Sequence, residues 1–223
     1  TSLGAVLLPR TSYYVEMKME REFRTVSGKA LEFVAVLSIP LTVSFTIMAK
    51  QCILLLSGNA YLPSVIPMCI IMPTLILIGA SNVFGVQMLV PLGKETIVLH
   101  SECAGAVADI ILNAVFIPRY GASGAAFGTL VAEAVVLVVQ AAALKNMAWE
   151  IIKKVEVWKI LPAAALSGAA MIFIKNKVNM PVFPVLVICF SVFFGIYGIL
   201  LLGMKERILM ELLRTAAKRL KQK

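Results

Sequence analysis

Histidine occurs once in the 223 residues, at His100, and charged residues make up only 15% of them. A single imidazole leaves no multi-histidine metal site and no His-Glu-x-x-His pair, and the chain has neither a nucleophile elbow nor a Gly-rich loop that would cradle phosphate. The four cysteines, Cys52, Cys69, Cys103 and Cys189, sit singly in apolar stretches with no Cys-x-x-Cys spacing, so no disulfide or metal framework is readable. These absences point away from catalysis and give no reason to expect a cofactor or a bound metal. The first eight residues, with no initiator Met, basic n-region or cleavage site, do not read as a signal peptide. They read as the tail of a helix begun upstream, which makes the expected molecule the C-terminal part of a longer protein.

What the chain does have is apolar length. Sixty per cent of the residues are hydrophobic and the mean hydropathy is +0.92, more than a water-soluble core of this size can hide. Six stretches approach the ~20 apolar residues that cross a bilayer: 33–56, 65–90, 96–117, 122–144, 158–174 and 182–203. The connectors carry turn chemistry, as in Ser57-Gly58-Asn59, Pro91-Leu92-Gly93-Lys94 and Pro118-Arg119-Tyr120-Gly121. Loops this short make neighbouring spans antiparallel. The expected fold is therefore an all-α integral membrane protein of about six spans.

The net charge of +9 does not signal nucleic acid, because the basic residues lie between apolar runs and not on one face with aromatic partners. Topology accounts for them. Under strict alternation 17 of the 21 Lys and Arg residues fall on one side, which the positive-inside rule assigns to the cytoplasm. Loops 57–64, 118–121 and 175–181 are then external, while 91–95, 145–157 and the C-terminus are cytoplasmic. In the tail, 204–223, Ile208, Leu212, Ala216 and Leu220 recur every four residues opposite Arg214, Lys218 and Arg219, the pattern of an amphipathic helix on the inner leaflet. Residues 11–30 show a weaker version within a basic segment, 1–30. Both read more simply as positive-inside anchors against membrane lipid than as specific sites.

Polar residues at membrane depth mark the functional helices, since ionisable groups there are expensive. Glu102, Asp109 and Asn113 lie seven and four apart on the third span, which places them within about 40° of one another on a helix. On the fourth span Thr129, Glu133 and Gln140 repeat that spacing, and on the first Ser38, Thr42, Thr46 and Lys50 are each four apart beside a kink expected at Pro40. A single Ser, Thr or Asn is explained as well by hydrogen bonding across a helix interface. Asp109 and Glu133 are not so easily explained, and both become candidates for the cavity and for coupling to a Na+ or H+ gradient. Gly124, Gly128 and Ala132 form a small-residue ridge suited to close helix packing. The fifth and sixth spans have no ionisable interior residue, so 146–203 reads as a peripheral pair beside a four-helix core, 31–145.

Particular strings add a resemblance. Val6-Leu7-Leu8-Pro9-Arg10, Ser38-Ile39-Pro40-Leu41, Gln87-Met88-Leu89-Val90-Pro91-Leu92-Gly93-Lys94 and above all Asn113-Ala114-Val115-Phe116-Ile117-Pro118-Arg119-Tyr120-Gly121-Ala122-Ser123-Gly124, with Thr129 and Glu133 following, resemble the C-terminal half of bacterial polysaccharide flippases, the Wzx-like branch of the MATE-like exporter superfamily. The resemblance implies the second lobe of a two-lobe transporter, with an absent N-terminal lobe as partner, in the bacterial inner membrane. It implies transport of an undecaprenyl-pyrophosphate-linked oligosaccharide to the outer leaflet for cell-surface polysaccharide synthesis. Arg10 and Lys94 are then candidates for contacts to phosphate or lipid head groups, and Asp109, Asn113, Thr129, Glu133, Gln140, Thr42 and Thr46 for the cavity. A cation-coupled drug or metabolite antiporter would share the fold. A membrane glycan ligase or acyltransferase is the reading from another class.

Overall fold

The computed structural model describes residues 2–177 and 180–211, and all regular structure among the described residues is helical. Helix α1 (Ser2–Glu16) ends where Lys18 turns into the left-handed region at φ 57°, and α2 (Glu20–Ile47) follows. Residues 20–30, expected in a basic loop, are instead the first turns of α2. Only Gly28 weakens a helix there, and Glu20 and Arg24 pair one turn apart.

Helix α2 continues without a break through Pro40, where a kink is expected. Proline withdraws the N–H that the Val36 carbonyl would accept in a helix. The hydroxyl of Tyr197 supplies the missing donor at 2.9 Å, and α2 runs through. The interruption comes at Met48, where Lys175 Nζ donates to the Ile47 carbonyl at 2.8 Å, and the span resumes as α3 (Ala49–Leu56).

The second span is broken. A 3-10 turn (Asn59–Ser64) leads into α4 (Val65–Ile71), and α5 (Thr74–Asn82) continues into a π-helix over Val83–Leu89. The two halves meet at Met72-Pro73 with a bend of 41°. The buried Thr42 hydroxyl donates to the Met72 carbonyl at 3.2 Å, so a polar side chain of α2 satisfies backbone at the bend.

Helices α6 (Glu95–Tyr120) and α7 (Ala122–Leu144) form a hairpin whose only link is Gly121, at φ 55°. The turn expected over 118–121 shrinks to that residue, because Pro118, Arg119 and Tyr120 stay helical. Lys145, also left-handed at φ 53°, starts α8 (Asn146–Lys154), a short amphipathic helix that buries Ala148 and Ile151. Two apolar helices complete the described chain, α9 (Val157–Lys177) and α10 (Val182–Gly203). Five helices are long and apolar enough to cross a membrane, six if the bent pair is counted as one span, against the six expected. Of the amphipathic tail only a first turn from Arg207 to Glu211 is described; Leu212, Ala216 and Leu220 lie outside the described residues.

Helix α2 is the hub. It packs on α5, on α9 and α10, and on α8, around Phe23, Ile39, Phe84, Met88, Ile151, Ile160 and Leu201. A second cluster of Met48, Cys52, Met171, Cys189 and Phe193 seals α3 to α9 and α10. Helix α7 lies between α6 and the bent pair, whereas α6 leans mainly on α7 and turns Leu99, Ile110, Ile111 and Val115 outward.

Candidate functional site

Small residues decide how closely α6 and α7 approach. A side chain on Gly124 would sit 2.5 Å from the Phe116 carbonyl oxygen, and one on Gly105 would sit 2.5 Å from Val136 Cγ2. In lipid the apolar effect does not draw helices together, so contact of this kind and interhelical hydrogen bonds hold them. The ridge expected at Gly124, Gly128 and Ala132 is thus a packing surface. Gly128 does more. Its missing Cβ would lie 2.6 Å from Asn113 Oδ1 and 3.3 Å from Asp109 Oδ1, so the glycine leaves room for two polar side chains of α6 to reach α7.

The result is one polar group shared by the hairpin. Thr129 Oγ1 donates to Asp109 Oδ1 at 3.5 Å, Asn113 Oδ1 is buried without a partner, and Glu102 and Asp109 are the charges that face Glu133. Glu102 is exposed, while Asp109, Asn113, Thr129 and Glu133 are half-buried. None of the three carboxylates forms an ion pair among the described residues. Chemically this is a hairpin face with surplus negative charge, a carbonyl-type acceptor at Asn113 and a hydroxyl at Thr129. Those are ligands for a proton or a hard cation.

The remaining expected positions lie elsewhere. Gln140 continues the α7 stripe in sequence but is only 1% exposed, and its Nε2 donates to Ser101 Oγ at 3.0 Å. It is covered by the π-helix, where Gly85 has room for no side chain: a Cβ would stand 2.9 Å from Gln140 Nε2. Gln140 is therefore a packing residue here, turned from the open face by the segment stacked on it. Thr42 serves the bend at Met72, and the carbonyl of Thr46 accepts the Cys69 thiol at 3.8 Å. Arg10 is exposed, donates to the Tyr14 hydroxyl at 3.0 Å, and lines a cavity of about 620 Å³ with Tyr14, Arg21, Glu22 and Lys29. Lys94 is exposed at the start of α6 and does not line that cavity.

The π-helix was not expected. Its signal is faint: Gly85 and Gln87 inside an apolar run. Gln87 is fully buried and neither amide atom has a partner, and π-helical turns recur at functional positions of membrane and soluble proteins alike.

Five to six apolar spans, and half-buried carboxylates without ion pairs among the described residues on a tightly packed hairpin, define a multi-pass, all-helical membrane protein. Over 212 residues the chain is 24% identical to an uncharacterized membrane protein of Methanocaldococcus jannaschii, MJ1068. The match takes in 92% of this chain and 40% of the relative, so the chain spans about two fifths of that protein's length. No protein-family model and no solved structure matches the chain.

Proposed function

We infer that this chain forms one lobe of a membrane transporter, and that the transporter is a flippase for a polyprenyl-pyrophosphate-linked oligosaccharide. The observation that carries the reading is the pair Asp109 and Glu133, set on two locked helices with no ion-pair partner. A bare carboxylate is costly in lipid, whereas a carboxylate holding a proton or Na+ is tolerated against another helix. Cation binding therefore favours a closed face and cation release a wet, open one, which is the differential affinity that coupling needs. The residue strings from Asn113 to Gly124 and from Gln87 to Lys94 supply the glycan part of the reading. Arg10 and Arg21 in the cavity beside α1 suit the phosphates of a lipid-linked substrate or of a membrane lipid.

Asp109→Asn and Glu133→Gln keep shape and remove charge. In a strain lacking the full-length gene, at least one variant should reach the membrane at normal level and fail to restore surface glycan, with lipid-linked repeat units accumulating on the cytoplasmic face. If both variants restore it, the coupling role is wrong. One observation favours the antiporter reading: Glu102, Asp109, Asn113, Thr129 and Glu133 include no base, which suits a cationic cargo better than a pyrophosphate. Loss of the gene would then leave surface glycan intact and sensitise cells to cationic compounds.

A further inference from the structure

We propose that Glu32, Glu156 and Glu206 form a site for a hard metal cation, calcium-like in its ligand spacing, that clasps α9 and α10 to the hub helix. The three carboxylates come from α2, from the residue before α9 and from the turn after α10, and their oxygens all lie within 4.8 Å of one another. Their burial is unusual. Glu32 is 2% exposed and Glu206 0% exposed, yet Glu32 Oε1 has no hydrogen-bond partner among the described residues, and the Glu32 carboxylate faces the cluster. A buried oxygen left unpaired is costly, and more so when charged, so the position calls for a positive ligand.

Among the described residues, cations reach Glu156 but none hydrogen-bonds the free Glu32 oxygen. Lys159 Nζ bonds Glu156 Oε2 at 2.6 Å, and Arg207 stands 4.0 Å from Glu156 Oε1. Both oxygens of Glu206 accept backbone N–H groups, from Ile208 at 3.0 Å and Leu209 at 2.8 Å, which fixes the carboxylate without neutralising it. Among the described residues, three ionised acids against Lys159 and Arg207 leave one negative charge in surplus. One ion with oxygen ligands at about 2.3–2.6 Å reaches atoms up to about 5 Å apart, which matches the spacing found. Glu156 is partly exposed and borders a cavity of about 430 Å³ with Lys205, Arg207 and Met210, giving the ion a way in from water. The three positions are 124 and 50 residues apart in sequence, so no ligand motif announces them.

The test uses the full-length protein in detergent, with Tb3+ as a luminescent stand-in for Ca2+. Trp158, two residues from Glu156, should sensitise Tb3+ emission; Ca2+ should quench it by competition and also raise the unfolding temperature over that in EDTA. Glu32→Gln should weaken Ca2+ at least about tenfold, while Glu95→Gln, on the exposed start of α6, should leave it unchanged. The partly exposed Glu156→Gln provides a second variant if Glu32→Gln does not fold. Sodium is run alongside: stabilisation by Na+ at millimolar level with no Tb3+ signal would overturn the calcium-like assignment. Wild-type protein without Tb3+ emission or Ca2+ response, or a wild-type response in both Glu variants, would overturn the site.

Discussion

Single side chains in this protein repair what the backbone gives up. The clearest case is Tyr197, whose hydroxyl bonds the Val36 carbonyl that Pro40 leaves without a donor. Tyr197→Phe removes only an oxygen, yet leaves a carbonyl orphaned at membrane depth. The expected cost is about 1–3 kcal/mol of stability, read by thermal or denaturant unfolding in detergent, and a loss smaller than a few tenths would show the helix has another way through the proline. Such repairs are barely legible in sequence. Tyr197 stands out there only as a polar tip in an apolar span, and nothing in the chain order says that its partner lies 161 residues away. The acidic hairpin is different. Asp109, Asn113, Thr129 and Glu133 are foretold by their spacing because the two helices carrying them are consecutive and joined by one turn. Gln140 shares that spacing and still faces elsewhere, since its surroundings are set by Gly85, a residue of another span.

Among the elements, the six spans could be read from apolar length, and their breaks could not. Hydropathy marks where a chain can cross a bilayer, but it is silent on Met48, on the 41° bend and on the π-helix, all of which depend on donors and gaps contributed by neighbours. The pair expected to be peripheral, α9 and α10, is tied into the hub helix. Besides Tyr197, Lys175 ties α9 to the end of α2, and Ser167, though buried in α9, satisfies itself on the Ala163 carbonyl one turn back at 2.7 Å. That local bond makes Ser167 dispensable. Ser167→Ala should leave transport within about twofold of wild type, since no interhelical contact is lost; a well-folded variant with no transport would place α9 in the path and overturn its peripheral role.

For the molecule as a whole, the charge asymmetry predicts which ends face which compartment, with α8 and its Lys153 and Lys154 on the cytoplasmic side of the plasma membrane. Single cysteines in a cysteine-free background check this with a reagent that cannot cross lipid. Asn59→Cys should react in intact cells and Lys153→Cys only after permeabilisation; the reverse pattern would invert the molecule. A last consequence follows from Gly121. The link between α6 and α7 is one residue, and a Cβ at Gly124 or Gly105 would already stand 2.5 Å from the opposite helix, so the two helices have little room to slide along one another. On the transporter reading proposed above, the hairpin would act as a ruler, holding Asp109 and Glu133 at a near-constant interval while what lies opposite them changes.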